Sequence, residues 1–422
     1  MTKSPILRLT DFFEDNRPLV LYTGLIGLPG SGAAIEHALN VAKTLEAGGF
    51  RVILLPWTND ARPEDHLRNG LFLFQGIHYI PVGNPATNGA SRLQSLRVFT
   101  GTRAPILDFL KTADLTAVAA IITMEGSAGY SWKLRSLCKS RRIGVIAEVT
   151  EHYATNMPGQ SFSQIQRVDM AARIQMVYPK YDGIIAITTY LEGYYARKGC
   201  KVFRLPPVLD TQESRWKFPA IRAIAPPGSL RLVFLGAPVR DRHELILEAI
   251  LQMRKDGFDI TLGYVGSSRQ LMESLLGERR RLLLELGDAV VFHGRVKECH
   301  LKEILMAADF GVLLREDARW SRCCFPSRVP EFLALGVPIL CNETSDLAEH
   351  LRDGSEALIV PDLSVDSVKA TLARGASLTE TQRARMRSNA RLLAESSFDI
   401  RPYIRPLESF IQQTAEKARQ NK

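Results

Sequence analysis

The 422-residue chain lacks long hydrophobic runs and any cysteine pattern typical of metal binding. Its most apolar window, at 115–124, is far shorter than the roughly 20 residues that a helix needs to span a bilayer. The six cysteines include no C-x-x-C pair, which disfavours a zinc site or a thioredoxin-like motif. Acidic residues precede any long apolar region at the N-terminus, so no signal peptide is predicted. We therefore expect a cytoplasmic protein with reduced thiols.

The chain also lacks basic runs interleaved with aromatic residues, and it has no tandem nucleic-acid-binding motif. Its 54 Lys and Arg residues exceed its 45 Asp and Glu residues, which gives a net charge of +9. A positive balance favours acidic partners such as nucleotides, phosphates or an anionic membrane surface. We do not expect nucleic acid to be the partner.

Apolar segments alternate with helical patterns along most of the chain. The first unit consists of a strand at 19–26, a glycine-rich turn, a helix at about 33–47 and a second strand at 51–56. Later patterns predict single helices at about 162–178 and 268–286. The alternation predicts an α/β protein with parallel sheets that helices cover on both faces.

The alternation stops once and then restarts. Residues 211–229 carry three prolines and no consistent period, and are predicted to be a linker. We therefore predict an N-terminal Rossmann-like domain at 1–210, a C-terminal Rossmann-like domain at 230–395, and a helical tail at 396–422 that packs back on the first domain. Two doubly wound domains facing across a cleft would bind ligands at the carboxyl ends of their strands.

One segment after a strand of the second half predicts an anion site. Ser327 is a suitable N-cap and Gly336 a suitable C′ residue for a short helix. The first free amides of that helix, together with the Arg328 side chain, could hold a phosphate. Glu331, one turn further on, could accept hydrogen bonds from ribose hydroxyls. Alternatively, Glu331 only complements the helix dipole.

Two glycine-containing loops follow strands elsewhere. Gly27, Gly30 and Gly32 come after the first strand and open a helix, but their order is not that of a dinucleotide fingerprint. A turn that only shapes the cleft wall is the alternative for these glycines. In the second half, Gly236 and Arg240 follow a strand, and Arg240 could clamp a pyrophosphate.

Several motifs from about Leu230 to Pro361 occur in a characteristic order: FLGAPVRD, VVFHGRV, FPSRVPEFLALGVPIL and TSDLAEHLRDGSEALIVP. Together they resemble those of GT-B glycosyltransferases, specifically family 4. The resemblance implies transfer of a sugar from a nucleotide diphosphate sugar, with retention of the anomeric configuration. It also implies that the second domain holds the donor and the first the acceptor.

The residue patterns and the resemblance together assign donor-binding roles to Gly30, Gly32, Gly236, Arg240, Gly294, Arg295, Arg315, Ser327, Arg328 and Glu331. Arg240 and Arg328 match the basic pair at the donor diphosphate, and they count as catalytic because transfer requires stabilisation of the departing charge. Glu331 matches the second glutamate of the family's E-x7-E motif. Cys323 occupies the position of the first glutamate, so the role of that acid cannot be carried over.

Acid and base candidates lie in the first domain. Glu151 and His152 end a strand and are the catalytic candidates there; Glu36 and His37 are further options, although a core or surface role is favoured for His37. The chain has no D-x-D motif, so no metal is required, and no cofactor is expected besides the donor substrate.

The sequence therefore predicts a metal-independent, hexosyltransferase-like enzyme of cell-surface polysaccharide or glycoconjugate synthesis, with a glycan or lipid-linked acceptor. The alternative is a catalytically degenerate nucleotide-sugar sensor or scaffold, which Cys323 motivates. A sugar-nucleotide epimerase would need an acid/base set that the sequence does not provide. The basic segments RRIG and TQRARMRSNARLL could contact an anionic membrane, although a solvated helix face is the alternative.

Overall fold

The computed structural model describes residues 9–420 except 60, 62, 69, 84–104, 152–162, 218–225 and 227. The described chain forms two compact units. Unit one consists of residues 9–151, 163–208 and 400–420, and unit two of Leu209–Asp399. Part of the predicted linker therefore lies outside the described residues, and its beginning, residues 211–217, belongs to unit two.

Unit one contains a nine-stranded sheet with the order β3-β4-β5-β2-β1-β6-β7-β8-β9. Its strands are β1 (Leu19–Leu28), β2 (Arg51–Asn59), β3 (His66–Arg68), β4 (Leu71–Phe74), β5 (Ile77–Tyr79), β6 (Val118–Met124), β7 (Gly144–Val149), β8 (Gly183–Ala186) and β9 (Val202–Arg204). The central strands pair in parallel, as predicted, and are buried on both faces because they consist of apolar runs.

The edge of this sheet differs from the prediction, because β3, β4 and β5 pair in antiparallel fashion. A two-residue turn at Gln75 and Gly76, both with positive φ, joins β4 to β5. Such a turn matches the twist of a hairpin. The sheet is therefore mixed rather than wholly parallel.

The helices of unit one that precede unit two are α1 (Ala33–Ala47), α2 (Pro105–Thr112), α3 (Ala128–Arg141), α4 (Gln164–Ala172) and α5 (Thr189–Ala196). The single helix predicted at 162–178 is shorter and less regular than expected. After α4 the chain continues as a π-helical turn, Arg173–Val177. The Arg173 side chain is buried there and donates to the carbonyl of Gly126.

Unit two contains a six-stranded parallel sheet with the order β12-β11-β10-β13-β14-β15. Its strands are β10 (Ser229–Leu235), β11 (Asp259–Val265), β12 (Val290–Gly294), β13 (Phe310–Leu313), β14 (Ile339–Asn342) and β15 (Ala357–Val360). Counted within the unit, this is the strand order 3-2-1-4-5-6 of the doubly wound fold. In such sheets ligands bind at the carboxyl edge, where the order reverses between β10 and β13.

The helices of unit two are α6 (His243–Lys255), α7 (Arg269–Leu276), α8 (Arg281–Leu286), α9 (Glu298–Ala307), α10 (Arg319–Arg322), α11 (Arg328–Ala334), α12 (Leu347–His350), α13 (Val365–Ser377) and α14 (Glu380–Leu393). The single helix predicted at 268–286 is in fact two, α7 and α8. Gly277 has a φ of +55° at the end of α7, which a helix interior does not allow.

Helix α14 carries the segment TQRARMRSNARLL, in which Arg383 and Arg387 are buried, Arg391 is half-buried and Arg385 is exposed. Arg383 and Arg387 lie 3.3 and 3.2 Å from the buried carboxylate of Asp309. Arg391 donates to the carbonyls of Thr211 and Ala334. These three guanidiniums are engaged within unit two, whereas Arg385 is exposed. Contact of this segment with a membrane stays a prediction.

The last helix, α15 (Ile404–Gln420), belongs to unit one. It packs on β7 through Phe410 and Ile411, which join the core of that unit. A Cβ atom at Gly183 would lie only 2.8 Å from the ring of Phe410, so glycine is required for this approach. Within the described part of the chain, no helix has the length and apolar character needed to cross a membrane.

Candidate anion site of unit two

Three glycines form the carboxyl edge of the unit-two sheet at β10, β11 and β12. Gly236, Gly266 and Gly294 have φ values of +99°, +82° and +63°. The amide of Gly236 donates to Val265 O at 2.8 Å, and the amide of Gly266 donates to Gly294 O at 2.7 Å. These contacts join the three strand ends. Because the three glycines have no side chains, a ligand can approach the backbone closely here.

A buried ionic cluster lies beyond this edge. The carboxylate of Asp241 accepts from Arg315 Nε at 3.3 Å and from Arg328 Nη2 at 3.0 Å. The exposed fractions of the three side chains are 2%, 5% and 11%. Burial alone would raise the pKa of Asp241, but the Arg328 and Arg315 guanidiniums hold that pKa below its ordinary value. Two cations and one anion leave a net positive charge.

Neighbouring residues hold the Arg328 guanidinium in place but leave one of its hydrogen-bond donors available to a ligand. Its guanidinium lies 4.3 Å from the centroid of the Phe234 ring, and Asp241 fixes one of its terminal nitrogens. Its Nη1 is buried and has no hydrogen-bond partner among the described residues. A buried N–H group without a partner costs free energy, so a ligand oxygen that accepts from it would be favoured.

The short helix α11 starts at Arg328, as the sequence predicts, but without the predicted cap. Ser327 occupies the N-cap position in a helical conformation, and its side chain makes no capping hydrogen bond. Gly336 ends the helix region with a φ of +63°, as expected for a C′ residue. Glu331 lies in the first turn and is half-buried. Its predicted contact with a ribose stays a prediction.

The cysteines around this helix are neutral packing residues. Cys323 and Cys341 are completely buried, and burial raises the pKa of each thiol to about 12. Cys323 therefore supplies no charge at the position where the family has its first glutamate. The described cysteines form no disulfide bonds.

The other predicted donor residues surround the cluster in different ways. Arg240 follows β10 and is half-buried, with Nη1 3.7 Å from the sulfur of Cys324. Arg295 is exposed directly after Gly294. Arg315 is buried; its side chain binds Asp241 and its amide donates to Asn342 Oδ1 at 2.8 Å. The structure thus gives Arg315 a supporting position, and its contact with a sugar stays a prediction.

Sequence reasoning did not identify three residues of this region: Asp241, His243 and Gly266. His243 opens α6, and its Nδ1 lies 3.1 Å from the Tyr264 hydroxyl. Burial lowers the pKa of His243 to about 4, so the ring is neutral at neutral pH. The signal for all three was available, because each lies within a few residues of the carboxyl end of a predicted strand.

The glycine loop of unit one is structurally constrained. Gly32 has a φ of +133° and occupies the N-cap position of α1. A Cβ atom at Gly30 would lie 2.8 Å from Gly27 O, which excludes larger residues there without movement. Both positions therefore require glycine for the fold, and their role toward a donor stays a prediction.

The base candidates of unit one differ in their burial and in their partners. His37 is a core residue: its Nε2 lies 2.8 Å from Glu148 Oε1, and both side chains are buried. Glu36 and Glu151 are half-buried, and Glu151 follows β7. His152 lies outside the described residues. The described residues also include no group of three or more His, Cys, Asp or Glu that could hold a metal ion.

Part of unit two matches a known protein family, and several solved structures share the fold of the chain. Residues 229–375 match the family model described as "Glycosyl transferases group 1". Sucrose-phosphate synthase from Thermosynechococcus elongatus is 16% identical with a TM-score of 0.68, covering 95% of this chain and 100% of that one. The catalytic domain of starch synthase IV from Arabidopsis thaliana, bound to ADP and acarbose, is 10% identical with a TM-score of 0.68, at 95% and 100% coverage.

A third similar structure is HepE from Anabaena in complex with UDP, which is 15% identical with a TM-score of 0.61, covering 93% of this chain and 99% of that one. No curated protein sequence matches the chain. The fold is that of the GT-B glycosyltransferases, as the sequence motifs predicted. The part of unit two that contains the glycine edge and the Asp241 cluster is the part that matches the glycosyl transferase family.

Proposed function

We propose that the protein is a glycosyltransferase that moves a sugar from a nucleotide diphosphate sugar to a glycan or lipid-linked acceptor. The observation that carries the proposal is the buried Asp241, Arg315 and Arg328 cluster, which has net positive charge and an unpartnered Arg328 Nη1. It lies where doubly wound sheets bind ligands. The match of this region to group 1 glycosyl transferases also supports sugar transfer as the function.

In the proposed reaction an acceptor hydroxyl oxygen bonds to the anomeric carbon while the bond from that carbon to the donor phosphate breaks. The diphosphate leaves with the electron pair, and the hydroxyl proton passes to a general base. Arg328 and Arg240 would stabilise that developing charge. Glu331 would accept hydrogen bonds from the ribose, and Gly294 and Arg295 would lie along the base. Glu151 and His152 are the candidates for the general base that takes the acceptor proton. The proposal includes retention of configuration, a hexosyl donor and no requirement for a metal ion.

The proposed setting is cell-surface polysaccharide or glycoconjugate synthesis in the cytoplasm, with peripheral contact at the inner face of the membrane. The nucleotides named for similar structures, UDP and ADP, support a nucleotide diphosphate donor. They leave open which base this chain binds, so both belong in any test.

The second candidate is a nucleotide-sugar sensor or scaffold without transfer activity. The specific observation in its favour is that Cys323, at the position of the family's first glutamate, is buried and uncharged. A sensor of this kind would bind the donor but would release no diphosphate. Acceptor-dependent turnover therefore separates the two functions.

Turnover is measured with a panel of nucleotide diphosphate sugars and glycan or lipid-linked acceptors, by following released diphosphate. We expect acceptor-dependent release with at least one donor, and a large loss of rate in Glu331→Gln. The matched control is Glu278→Gln, because Glu278 is exposed in unit two and is not one of the predicted donor-binding residues. Binding without release would favour the sensor, and neither binding nor release would overturn both functions.

A further inference from the structure

An exposed apolar surface lies on two neighbouring helical segments of unit one. Trp132 on α3 is 45% exposed, and Ile165 and Val168 on α4 are 56% and 66% exposed. Met176, in the π-helical turn after α4, is 64% exposed. Because α3 packs against both α4 and that turn, these side chains belong to one part of the molecule rather than being scattered.

The same segments are strongly basic. Residues 128–142 contain no acidic residue, and residues 163–180 contain only Asp169, whose side chain is buried. The exposed or half-exposed cations of the two segments are Lys133, Arg135, Lys139, Arg141, Arg142, Arg167 and Lys180. Asp169 is further occupied by the amide of Ala128, at 2.8 Å. The two segments therefore present several cations and contain no exposed carboxylate.

Trp132 is an exposed apolar residue that also lies beside two cations. Lys180 Nζ lies 4.8 Å from its ring centroid and the Arg135 guanidinium 5.7 Å from it. Arg135 Nε also donates to the backbone carbonyl of Lys180 at 2.7 Å, which holds the Arg135 side chain beside the ring. An exposed tryptophan among cations suits the boundary between lipid headgroups and acyl chains, where one side is apolar and the other is wet.

We infer that this docking face, formed by Trp132, Ile165, Val168, Met176 and the surrounding cations, binds an anionic lipid bilayer. Anionic headgroups would neutralise the cations, and the four apolar side chains would enter the headgroup region. A purely electrostatic partner such as a soluble polyanion would not require the exposed apolar side chains. The inference rests on the peripheral membrane contact of the proposed function and assigns a surface to it, but it needs no substrate to be tested.

A comparison within the chain supports this assignment. Helices α7 and α8 of unit two also expose apolar residues, Leu275 at 45% and Leu284 at 75%. Acidic residues accompany these leucines, among them Glu273, Glu278 and Glu285. The charge near these leucines is therefore not exclusively positive, unlike the charge of the docking face. The leucines provide a matched control.

Flotation of the full-length protein with vesicles tests the inference. We expect binding to phosphatidylcholine vesicles that contain about 30% phosphatidylglycerol, little binding to pure phosphatidylcholine, and weakening as salt is raised. Two double variants, Val168→Ser with Met176→Ser and Lys133→Glu with Arg167→Glu, should each weaken binding about tenfold or more. The control, Leu275→Ser with Leu284→Ser, should bind as the unchanged protein does.

Three outcomes would overturn the inference: no binding to anionic vesicles, equal binding by all variants, or loss of binding only in the charge variant together with full competition by heparin. The last result would identify a surface for soluble polyanions. Circular dichroism and nucleoside diphosphate binding are measured for every variant, because they show that the protein is folded. Since vesicle binding is measured without donor or acceptor, failure of the proposed sugar transfer would leave this result unaffected.

Discussion

At the residue scale, Asp241 determines how much charge the candidate site carries. Without this carboxylate, the guanidiniums of Arg315 and Arg328 would be two buried cations in the same region, each with a large desolvation cost. With it, both side chains are fixed and one positive charge remains for a ligand. The cluster thus combines positioning with attraction for an anion.

His243 gives a pH-dependent prediction at the same scale. Burial lowers its folded-state pKa from the ordinary value of 6.5 to about 4, so between these pH values the unfolded chain binds a proton that the folded chain does not. The free energy of unfolding should therefore fall as the pH drops from 6.5 to 4, with about 3 kcal/mol of that fall due to this residue. Urea unfolding of the wild type and His243→Gln across this range measures it.

In His243→Gln that part of the pH dependence should disappear. The control is His300→Gln, because His300 is exposed and its replacement should leave the pH profile unchanged. Parallel profiles for the wild type and His243→Gln would contradict the assignment of a neutral, buried imidazole beside the Asp241 cluster.

At the scale of elements, helix α15 completes the core of unit one. Its apolar face contributes Leu407, Phe410 and Ile411 to that core, and the helix packs against strands β6 and β7. The approach is close because Gly144 and Gly183 have no side chains at the contact. The helix is therefore an integral part of unit one rather than an appended tail.

Gly183→Ala should destabilise the protein, because the new Cβ would lie 2.8 Å from the Phe410 ring, itself held in the core. Overpacking of this kind costs about 1–3 kcal/mol. The control is Gly193→Ala in α5, whose new Cβ would meet only the Arg197 side chain, at 3.3 Å. Its expected effect is neutral or stabilising by up to about 1 kcal/mol, since alanine favours a helix. Urea unfolding compares them; equal stabilities would contradict the packing argument.

At the scale of the whole molecule, the regular α/β alternation was predictable from sequence, because buried parallel strands are continuous apolar runs. The edge strands β3 and β4 were missed, since strands as short as His66–Arg68 carry no readable period. Arg328 was predicted as a donor-binding residue from its place in the first turn of a short helix and from the family resemblance. Asp241 could have been noted from its place near a strand end, but its pairing with Arg328 could not, because a sequence does not show which of many carboxylates folds against a given arginine.

The basic helix α14 shows the same limit of prediction from sequence. The sequence marks the helix with Arg383 and Arg387 as basic, but only the fold shows that both bind Asp309 in the interior. The basic and apolar residues of α3 and α4 were equally visible in sequence, and only their exposure identified them as a surface. Burial therefore decides which charges are available to a partner.

The central claim is that unit two binds the diphosphate of a nucleotide donor through Arg328. Isothermal titration of the wild type, Arg328→Lys and the exposed control Arg279→Lys with UDP and ADP tests it most directly. Lysine keeps the charge beside Asp241 but loses the planar group whose Nη1 is free. We predict that the wild type and the control bind at least one of these nucleotides, and that Arg328→Lys binds it about 30-fold more weakly. Equal affinity in all three proteins, or no binding by the wild type, would contradict the claim.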